Sequence, residues 1–404
     1  MKRLITISLS IMIAVMFLAP CPVCAKKPVK IGVLVPLTGI AAQGGLEMKY
    51  GIEMAAQEKG TVLGSPIKLL VEDTQVKPPI AVSKAEKLVY KDDCKALIGV
   101  LSSGVGLALA KNIDKLNVPF LSTHVMTTKF YGLHPMVFRS GQLANDQTAV
   151  GNVKGILARP DLKNRTYYVL VHDYSWGHDA GERFIALAKK NGIKIYNENY
   201  DKAPIKTKDW SSYISKIKAS GADGVYMAFI TNVIPVFAKQ AADFGLQGKV
   251  KLVSAAAPGP LELAAGGTAC HGIFGVSDWS WDVNNPTSDD WEMRFWNTYK
   301  TIPSDAAVHS YVGAMNLFNA IDKAGSTDAK AIAAALKGIS YDGPYGTVRI
   351  SAKDNCMRND AVLTETMAAP DNPFGAKVYM KVLDTFPAAE LGPPEQETHD
   401  DTKG

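Results

Sequence analysis

Residues 30–45 read KIGVLVPLTGIAAQGG, where a continuous apolar run gives way to a glycine-rich turn. An apolar run of this length is typical of a strand buried on both faces of a parallel α/β sheet. Gly39 and Gly44 have the spacing of a phosphate-binding loop, but Gly45 and Leu46 stand where that loop needs Lys and Ser or Thr. The stretch therefore predicts a strand followed by a tight turn, and it disfavours a nucleotide site.

The turn is expected to lead into a helix over 46–59 that starts at the carboxyl edge of the sheet. Ligands of parallel α/β folds bind at that edge, where the first N–H groups of a helix are exposed. Ala42 and Gln43 lie in the turn. We therefore expect both residues to contact a ligand.

Strand-like and helix-like segments alternate along most of the chain. The predicted strands are 29–35, 67–72, 96–101, 118–122, 167–172, 193–197, 224–229, 250–254 and 272–276. The predicted helices are 46–59, 79–92, 105–116, 144–158, 179–191, 210–219, 233–244, 287–299, 305–323 and 328–337. Because one sheet does not easily hold so many strands, the alternation predicts two α/β lobes, each a doubly wound parallel sheet.

The composition restricts the class of protein. The chain has 404 residues, of which 47% are apolar and 21% charged, and its formal net charge is +5. These values describe a globular chain of about two to three domains. The positive excess is small and forms no cluster, so no nucleic-acid partner is expected. Residues 384–404 are acidic and contain prolines, and they predict a flexible tail.

Residues 1–25 have the layout of a secretory leader, with a basic start, an apolar stretch over 4–19 and a short cleavage region. This apolar stretch has 16 residues, fewer than the ~20 that a membrane-spanning helix needs. We expect cleavage after Ala25 and export to the periplasm. Lipid attachment at Cys21 or Cys24 is a less favoured alternative, because the residues before them do not suit such a signal.

Three cysteines, Cys94, Cys270 and Cys356, remain after cleavage. They allow one disulfide and one free thiol, or no disulfide. Their spacing does not resemble a zinc site, and neither a metal nor a cofactor is expected.

A second strand-to-helix junction carries Ser102 and Ser103. Either serine fits the N-cap of the helix predicted over 105–116. A serine hydroxyl beside the first amides of a helix also suits a ligand carboxylate, so both serines belong to the predicted site. Since the chain has no Gly-x-Ser-x-Gly elbow, hydrolysis is weakly supported and we do not expect an enzyme.

A polar cluster, HDYSWGHD over 172–179, follows a predicted strand. Its two His-Asp pairs straddle a strand end and a helix start, so they do not present the convergent ligands that a metal needs. Asp179 is expected to cap the next helix. Tyr174, Trp176 and, on a later loop, Trp281 are aromatic residues placed for ligand contact, although simple packing is an equal alternative.

Several stretches, taken in order, resemble a known family. They are KIGVLVPLTGIAAQGG, ALIGVLSS, VPFLSTHVMTT, VLVHDYSWGHDAGE, SGADGVYMAF, HSYVGAMNLFNAIDKAG and YDGPYGTVRI. Over roughly residues 28–380 the chain resembles the periplasmic solute-binding proteins of the branched-chain amino-acid ABC-transporter type. The resemblance implies a type I periplasmic binding fold, with two α/β lobes joined by three crossings and a ligand between them. The lobes would comprise 28–145 with 277–352, and 146–276 with 353–383.

The resemblance also implies ligand contacts. The serine that meets a ligand carboxylate corresponds to Ser103, and the aromatic residue of the second lobe corresponds to Trp176. The other implied positions are His124, Met126, Thr127, Ile230, Thr231 and Ala256. Tyr174 and Phe229 suit an apolar or aromatic ligand body.

Ala256 decides the expected ligand. The resemblance implies a glutamate at this position, where it would pair with the ammonium of an amino acid. An enclosed ammonium without a carboxylate would cost several kcal/mol, while a micromolar complex totals about 8 kcal/mol. We therefore expect a small organic or aromatic acid, unless Asp278 or Asp282 supplies the missing charge.

The resemblance implies binding without chemistry, by a monomer that delivers its small-molecule ligand to an ABC permease. A ligand-sensing receptor subunit of the same fold is the alternative, and an exported hydrolase is less favoured.

Overall fold

The apolar run Val29–Val35 forms an inner strand of a six-stranded sheet. The computed structural model describes residues 26–283 and 285–392. The strands of the first sheet are β1 (Val29–Val35), β2 (Thr61–Val62), β3 (Ser65–Asp73), β4 (Ala96–Gly99), β5 (Phe120–Ser122) and β6 (Val137–Arg139). Their order is β2-β3-β1-β4-β5-β6, with β2 antiparallel to β3 and the other described pairs parallel.

Helices cover both faces of the first sheet. Ile31 and Val33 face α1 (Ala42–Lys59) and α11 (Asp305–Ala324), whereas Leu34 faces α2 (Pro78–Glu86), α3 (Ser103–Ala110) and α4 (Ile113–Leu116). An added Cβ at Gly51 would lie 2.0 Å from the carbonyl oxygen of Ala307, so glycine permits the close approach of α1 and α11. The alternation of β1 side chains between two helical layers confirms a doubly wound sheet.

The second sheet has the same construction. Its strands are β7 (Thr166–His172), β8 (Lys194–Ile195), β9 (Asp201–Ala203), β10 (Gly224–Ala228), β11 (Lys251–Ser254), β12 (Phe274–Ser277), β16 (Ala361–Ala368) and β17 (Val378–Phe386). Their order is β17-β16-β12-β11-β10-β7-β8, with β9 beside β7 and with β16 and β17 antiparallel to their neighbours. The covering helices are α5 (Asn145–Ala158), α6 (Ser175–Lys190), α7 (Ser211–Ser220), α8 (Ile234–Asp243) and α9 (Pro260–Gly266).

A small antiparallel sheet completes the first lobe. It contains β13 (Ser340–Gly343), β14 (Gly346–Ile350) and β15 (Met357–Arg358), and it lies near α10 (Pro286–Tyr299), α11 and α12 (Ala329–Leu336). The chain passes between the two large sheets three times, after Arg139, after Ser277 and after Arg358. Two doubly wound lobes joined by three crossings agree with the predicted fold class. The lobe boundaries stay a prediction. β15 lies beyond the predicted boundary at 353 but pairs with β14, which lies before it.

Most predicted strands and helices lie within a few residues of the observed ones, but three differences matter. The first helix begins at Ala42 and not at Leu46. The sequence patterns do not predict β16 and β17. Because β17 reaches Phe386, the tail predicted to be flexible from residue 384 begins inside a strand. The predicted leader and residues 393–404 lie outside the described residues.

The three described cysteines settle the disulfide alternatives. Cys94, Cys270 and Cys356 are buried and free, so the alternative with one disulfide is wrong. Burial raises the pKa of Cys94 to about 12, and those of Cys270 and Cys356 to about 11. Within residues 26–283 and 285–392, no helix is both long enough and apolar enough to cross a membrane.

Candidate ligand-binding site

A pocket lies between the two lobes, where the parallel strands of both sheets end. It holds about 540 Å³ of atom-free space, counting the part that is open to solvent. The residues that line it follow β1, β4, β5 and β6 in the first lobe, and β7, β10 and β11 in the second. They are Ile40, Ala41, Gln43, Gly44, Leu101, Ser103, His124, Met126, Gln142, Tyr174, Trp176, Phe229, Ile230, Asn232, Ala256 and Glu262.

Two helices of the first lobe begin at this pocket. Ser103 is the first residue of α3 and is buried, and the first intrahelical bond of this helix runs from Gly106 N–H to the Ser102 carbonyl. The amides before Gly106 therefore have no partner within the helix and suit an anion. Gln43 and Gly44 lie in the first turn of α1. The glycine-rich turn of the sequence thus delivers helix N-terminal groups to the pocket.

Gly45 explains why that turn is rich in glycine. An added Cβ there would lie 1.7 Å from the backbone oxygen of Pro36, so α1 packs directly against the end of β1. At Gly44 the nearest atom is Leu101 Cδ1, at 3.0 Å, which belongs to a side chain that can move. The first turn of the helix is held close to the strand by Gly45.

His124 is a neutral polar group in the pocket wall. Burial, and then the neighbouring His309, lower its pKa to about 3. The two rings lie 5.6 Å apart, and Nδ1 of His124 has no hydrogen-bond partner among the described residues. His309 bonds Asp278 Oδ1 at 2.7 Å, and although burial opposes it, Asp278 and Asp305 raise the pKa of His309. His124 therefore offers an uncharged hydrogen-bonding group to a ligand.

Aromatic side chains of the second lobe form the opposite wall. The rings of Tyr174 and Trp176 lie 5.9 Å apart, and Trp176 Nε1 donates to Met126 Sδ at 3.1 Å. Phe229 packs against His172, with ring centroids 5.1 Å apart. His172 also holds the wall in place, because its Nδ1 accepts the Ile230 N–H at 3.0 Å and burial lowers its pKa to about 4. The wall suits an apolar or aromatic ligand.

Glu262 is an acidic residue of the pocket that the sequence patterns do not indicate. It lies in the first turn of α9 and is buried. Glu47 is next to the pocket residue Gln43. Its carboxyl group accepts hydrogen bonds from Gln43 Nε2 at 2.8 Å and from Ser304 Oγ at 2.7 Å. Burial, followed by the charge of Glu262, raises the pKa of Glu47 well above its usual value. The pocket therefore has an acceptor for a ligand hydroxyl or ammonium.

Asp278 and Asp282, the two acids named as alternatives for this role, have partners outside the pocket. Asp278 bonds His309 and, at 3.2 Å, Asn359 Nδ2. Asp282 accepts the Val382 N–H at 2.9 Å and pairs with Lys381 at 3.1 Å. Neither acid lines the pocket, so the alternative in which one of them supplies the missing charge is not supported. The sequence predicts the strand before Glu262 but not α9, so no sequence signal placed this acid at the start of a helix.

Nine predicted contact residues line the pocket. They are Gln43, Ser103, His124, Met126, Tyr174, Trp176, Phe229, Ile230 and Ala256. Their contact with a ligand stays a prediction. For Thr231 the side chain lies outside the described residues.

Four other predicted residues are not part of the pocket lining. Ala42 lies within the first turn of α1, between Ala41 and Gln43, because this helix starts earlier than expected. Ser102 occupies the N-cap position of α3 without a side-chain capping bond. Thr127 is buried, and its Oγ1 accepts the Lys129 N–H at 3.4 Å. Trp281 packs against Phe374 and Tyr379, with ring centroids 5.0 and 5.8 Å away.

Contacts between the lobes surround the pocket. Asn232 Nδ2 of the second lobe donates to the Ile40 carbonyl of the first. Asp179 is inside α6 and does not cap it, because the helix begins at Ser175. Its carboxylate instead accepts the N–H and the hydroxyl of Thr128, both at 2.9 Å. These bonds join the loop after β5 to the second lobe.

The fold and the pocket define the class of protein. Among solved structures, a solute-binding protein of an ABC transporter from Rhodopseudomonas palustris BisB5, in complex with 3,4-dihydroxybenzoic acid, matches with a TM-score of 0.82 at 21% identity over 91% of this chain and 99% of that one. A leucine-binding protein from Thermotoga maritima MSB8 matches with a TM-score of 0.78 at 21% identity, over 90% and 100% of the two chains. The chain thus has the type I periplasmic binding fold.

The family follows from the sequence comparison. A family model described as periplasmic binding protein matches residues 28–369, so the chain belongs to the periplasmic binding protein family. It is also similar to Leu/Ile/Val-binding protein homolog 6 of Brucella abortus (strain 2308), with 26% identity over 378 residues, 89% of this chain and 91% of the relative.

Proposed function

We propose that the protein captures a small carboxylate-bearing solute between its lobes and delivers it, chemically unchanged, to an ABC permease. The observation that carries the proposal is one pocket lined by Ser103 at the start of α3 and by Trp176 of the opposite lobe. A ligand that touches both lobes favours the closed arrangement, because some of its contacts exist only when the lobes are together.

The proposed ligand is an aromatic acid that also carries a hydroxyl group. The hydroxyl and helix amides at Ser103 suit its carboxylate, and Tyr174, Trp176 and Phe229 suit its ring. Glu262 would accept the ligand hydroxyl. Solved proteins of this fold that were crystallised with 3,4-dihydroxybenzoic acid and 4-hydroxybenzoate support the class of compound.

An α-amino acid is the second candidate. Glu262 favours it, because an ammonium would find a carboxylate in the pocket and would not be buried unpaired. The similarity to Leu/Ile/Val-binding protein homologs supports the same candidate.

Thermal-shift measurements with benzoate, 4-hydroxybenzoate, phenylalanine and leucine separate the two candidates. We expect 4-hydroxybenzoate to raise Tm most. Glu262→Gln should weaken 4-hydroxybenzoate about tenfold, as loss of a charge-assisted bond implies, and should leave benzoate nearly unchanged. If leucine gives the largest shift and Glu262→Gln abolishes it, the amino-acid candidate replaces the aromatic acid.

Export is part of the proposal. Cleavage after Ala25 would release a monomer into the periplasm, where the permease binds the closed form. Protein recovered from the bacterial periplasm should begin at Lys26. Deleting the gene should abolish uptake of the labelled solute, whereas a sensing subunit would leave uptake intact. Turnover of an ester or amide that Ser103→Ala removes would contradict a role in binding alone.

A further inference from the structure

A second cavity adjoins the ligand pocket at the mouth of the cleft. It holds about 1440 Å³ of atom-free space, counting open solvent, and both lobes contribute to its walls. Ile40 and Asn232 line this cavity and the ligand pocket alike. Because these two residues are joined by the bond from Asn232 Nδ2 to the Ile40 carbonyl, that contact stands between the outer and the inner space. We call the outer space the vestibule.

Three lysines make the vestibule basic. Lys77 follows β3 in the first lobe, while Lys206 and Lys208 follow β9 in the second, and all three are exposed. The described residues that line the vestibule include no carboxylate, and no ion pair within 26–283 or 285–392 involves these lysines. Lysines therefore line the vestibule from both lobes, while the acids beside it, Asp73 and Asp209, are not part of its lining.

The turn that carries Lys77 is held in an unusual conformation. Gln75 and Val76 have φ values of 52° and 56°, a region that non-glycine residues rarely adopt and that a β-branched residue avoids. Asp73 stabilises the turn by accepting the Leu37 N–H at 2.8 Å and the Gln75 N–H at 2.9 Å. Backbone strain that the surrounding structure maintains is typical of functional sites. The turn fixes where the backbone of Lys77 meets the cleft.

We infer that the vestibule is the route by which an anionic solute enters, and that Lys77, Lys206 and Lys208 draw its carboxylate toward the pocket. The inference rests on the proposed function in one respect, that the solute is a carboxylate. A cleft lined by one sign of charge concentrates ligands of the opposite sign and raises the association rate. Bound solute lies beyond the Asn232–Ile40 contact, so the lysines act on the rate of entry and not on the rate at which solute leaves the closed complex.

The rate of 4-hydroxybenzoate binding tests the inference by stopped-flow fluorescence, with Trp176 in the pocket as the reporter. The variant Lys77→Gln/Lys206→Gln/Lys208→Gln should bind about tenfold more slowly at low ionic strength, within the range that steering provides. The difference should vanish at about 1 M salt, where the Debye length is ~3 Å. The dissociation rate should not change.

A control variant removes the same charge at sites away from the cleft. Lys163, Lys190 and Lys330 are exposed and line neither cavity. Lys163→Gln/Lys190→Gln/Lys330→Gln should keep the association rate of the natural protein. Equal slowing in both variants, or a change confined to the dissociation rate, would overturn the inference. Normal binding rates with lost uptake in cells would also overturn it, because the lysines would then serve permease docking.

Sulfate titration of the ligand-free protein tests the vestibule without reference to the solute. NMR signals of residues 75–77 and 206–208 should shift with sulfate in the natural protein and in the control variant, and should not shift in the vestibule variant. Absence of these shifts in the natural protein would refute an anion-attracting vestibule. Failure of 4-hydroxybenzoate alone to bind would instead refute the proposed ligand.

Discussion

Ser102 and Ser103 are neighbours in the sequence but differ in surroundings. Ser103 lines the pocket at the first position of α3, whereas Ser102 occupies the N-cap position and does not line it. We predict that Ser103→Ala weakens binding of a carboxylate ligand about 10- to 100-fold, since a hydrogen bond to a charged group contributes ~1.5–3 kcal/mol.

Ser102→Ala is the matched control for this prediction. It should retain affinity within a few fold, because no side-chain capping bond is lost. Isothermal titration calorimetry of both variants, at equal Tm, measures the difference. Equal losses in the two variants would contradict a direct role for Ser103.

At the residue scale, sequence predicts pocket residues where one strand end leads directly into a helix. Ser103 and Trp176 follow this rule and both line the pocket. Glu262 does not follow the resemblance, because its carboxylate comes from the next helix and not from the strand end at Ala256. For Trp281 the alternative of simple packing holds, since this aromatic residue packs against Phe374 and Tyr379 and does not line the pocket.

At the element scale, the packing of α1 against β1 depends on one of two adjacent glycines. A methyl group at Gly45 would overlap the Pro36 backbone oxygen, whereas at Gly44 it would meet only the end of the Leu101 side chain. Gly45→Ala should destabilise the protein by about 1–3 kcal/mol or more, as overpacking does.

Gly44→Ala serves as the comparison. This variant should have the same Tm as the natural protein or a slightly higher one, because alanine stabilises a helix by about 0.5–1 kcal/mol relative to glycine. Thermal unfolding of the two variants measures the contrast. If Gly45→Ala were as stable as Gly44→Ala, the close contact between helix and strand would be absent.

Whether a strand can be predicted from the sequence depends on how that strand is buried. β1 lies between two helical layers and β10 is buried throughout, so both read as apolar runs. β17 is antiparallel and partly exposed, with Lys381 and Asp384 interrupting its apolar residues. The apolar pattern of β17 is therefore weak. For this reason the sequence predicts a flexible tail from residue 384, which lies inside the strand.

At the scale of the whole molecule, a buried acid makes stability depend on pH. Ser288 Oγ accepts from Trp279 Nε1 at 2.9 Å and donates to Glu292 Oε1 at 2.9 Å, which ties the second crossing to α10. Burial, opposed by the bond from Ser288, raises the pKa of Glu292 from 4.5 to about 8. The folded state thus favours the protonated acid, and this stabilisation is complete below pH 4.5 and is lost as the pH rises toward 8.

We predict that Tm of the natural protein decreases between pH 6.5 and pH 8, and that Glu292→Gln reduces this decrease. At lower pH, Asp305, whose pKa burial raises to about 6, contributes with the same sign as Glu292. His124 and His172, whose pKa values burial lowers to about 3 and about 4, contribute there with the opposite sign. Asp371→Asn, at an exposed acid, should keep the natural pH profile. An unchanged profile in Glu292→Gln would mean that Glu292 is not held protonated.

The central claim is that the two lobes enclose a carboxylate attached to an aromatic body. Calorimetric titration with 4-hydroxybenzoate and with 4-hydroxybenzyl alcohol tests it most directly, because the two compounds share the ring and the hydroxyl group and differ in the carboxylate. We predict micromolar binding of 4-hydroxybenzoate and at least 100-fold weaker binding of the alcohol, about 2.8 kcal/mol in free energy. Equal affinity for the two compounds, or tighter binding of leucine, would contradict the claim.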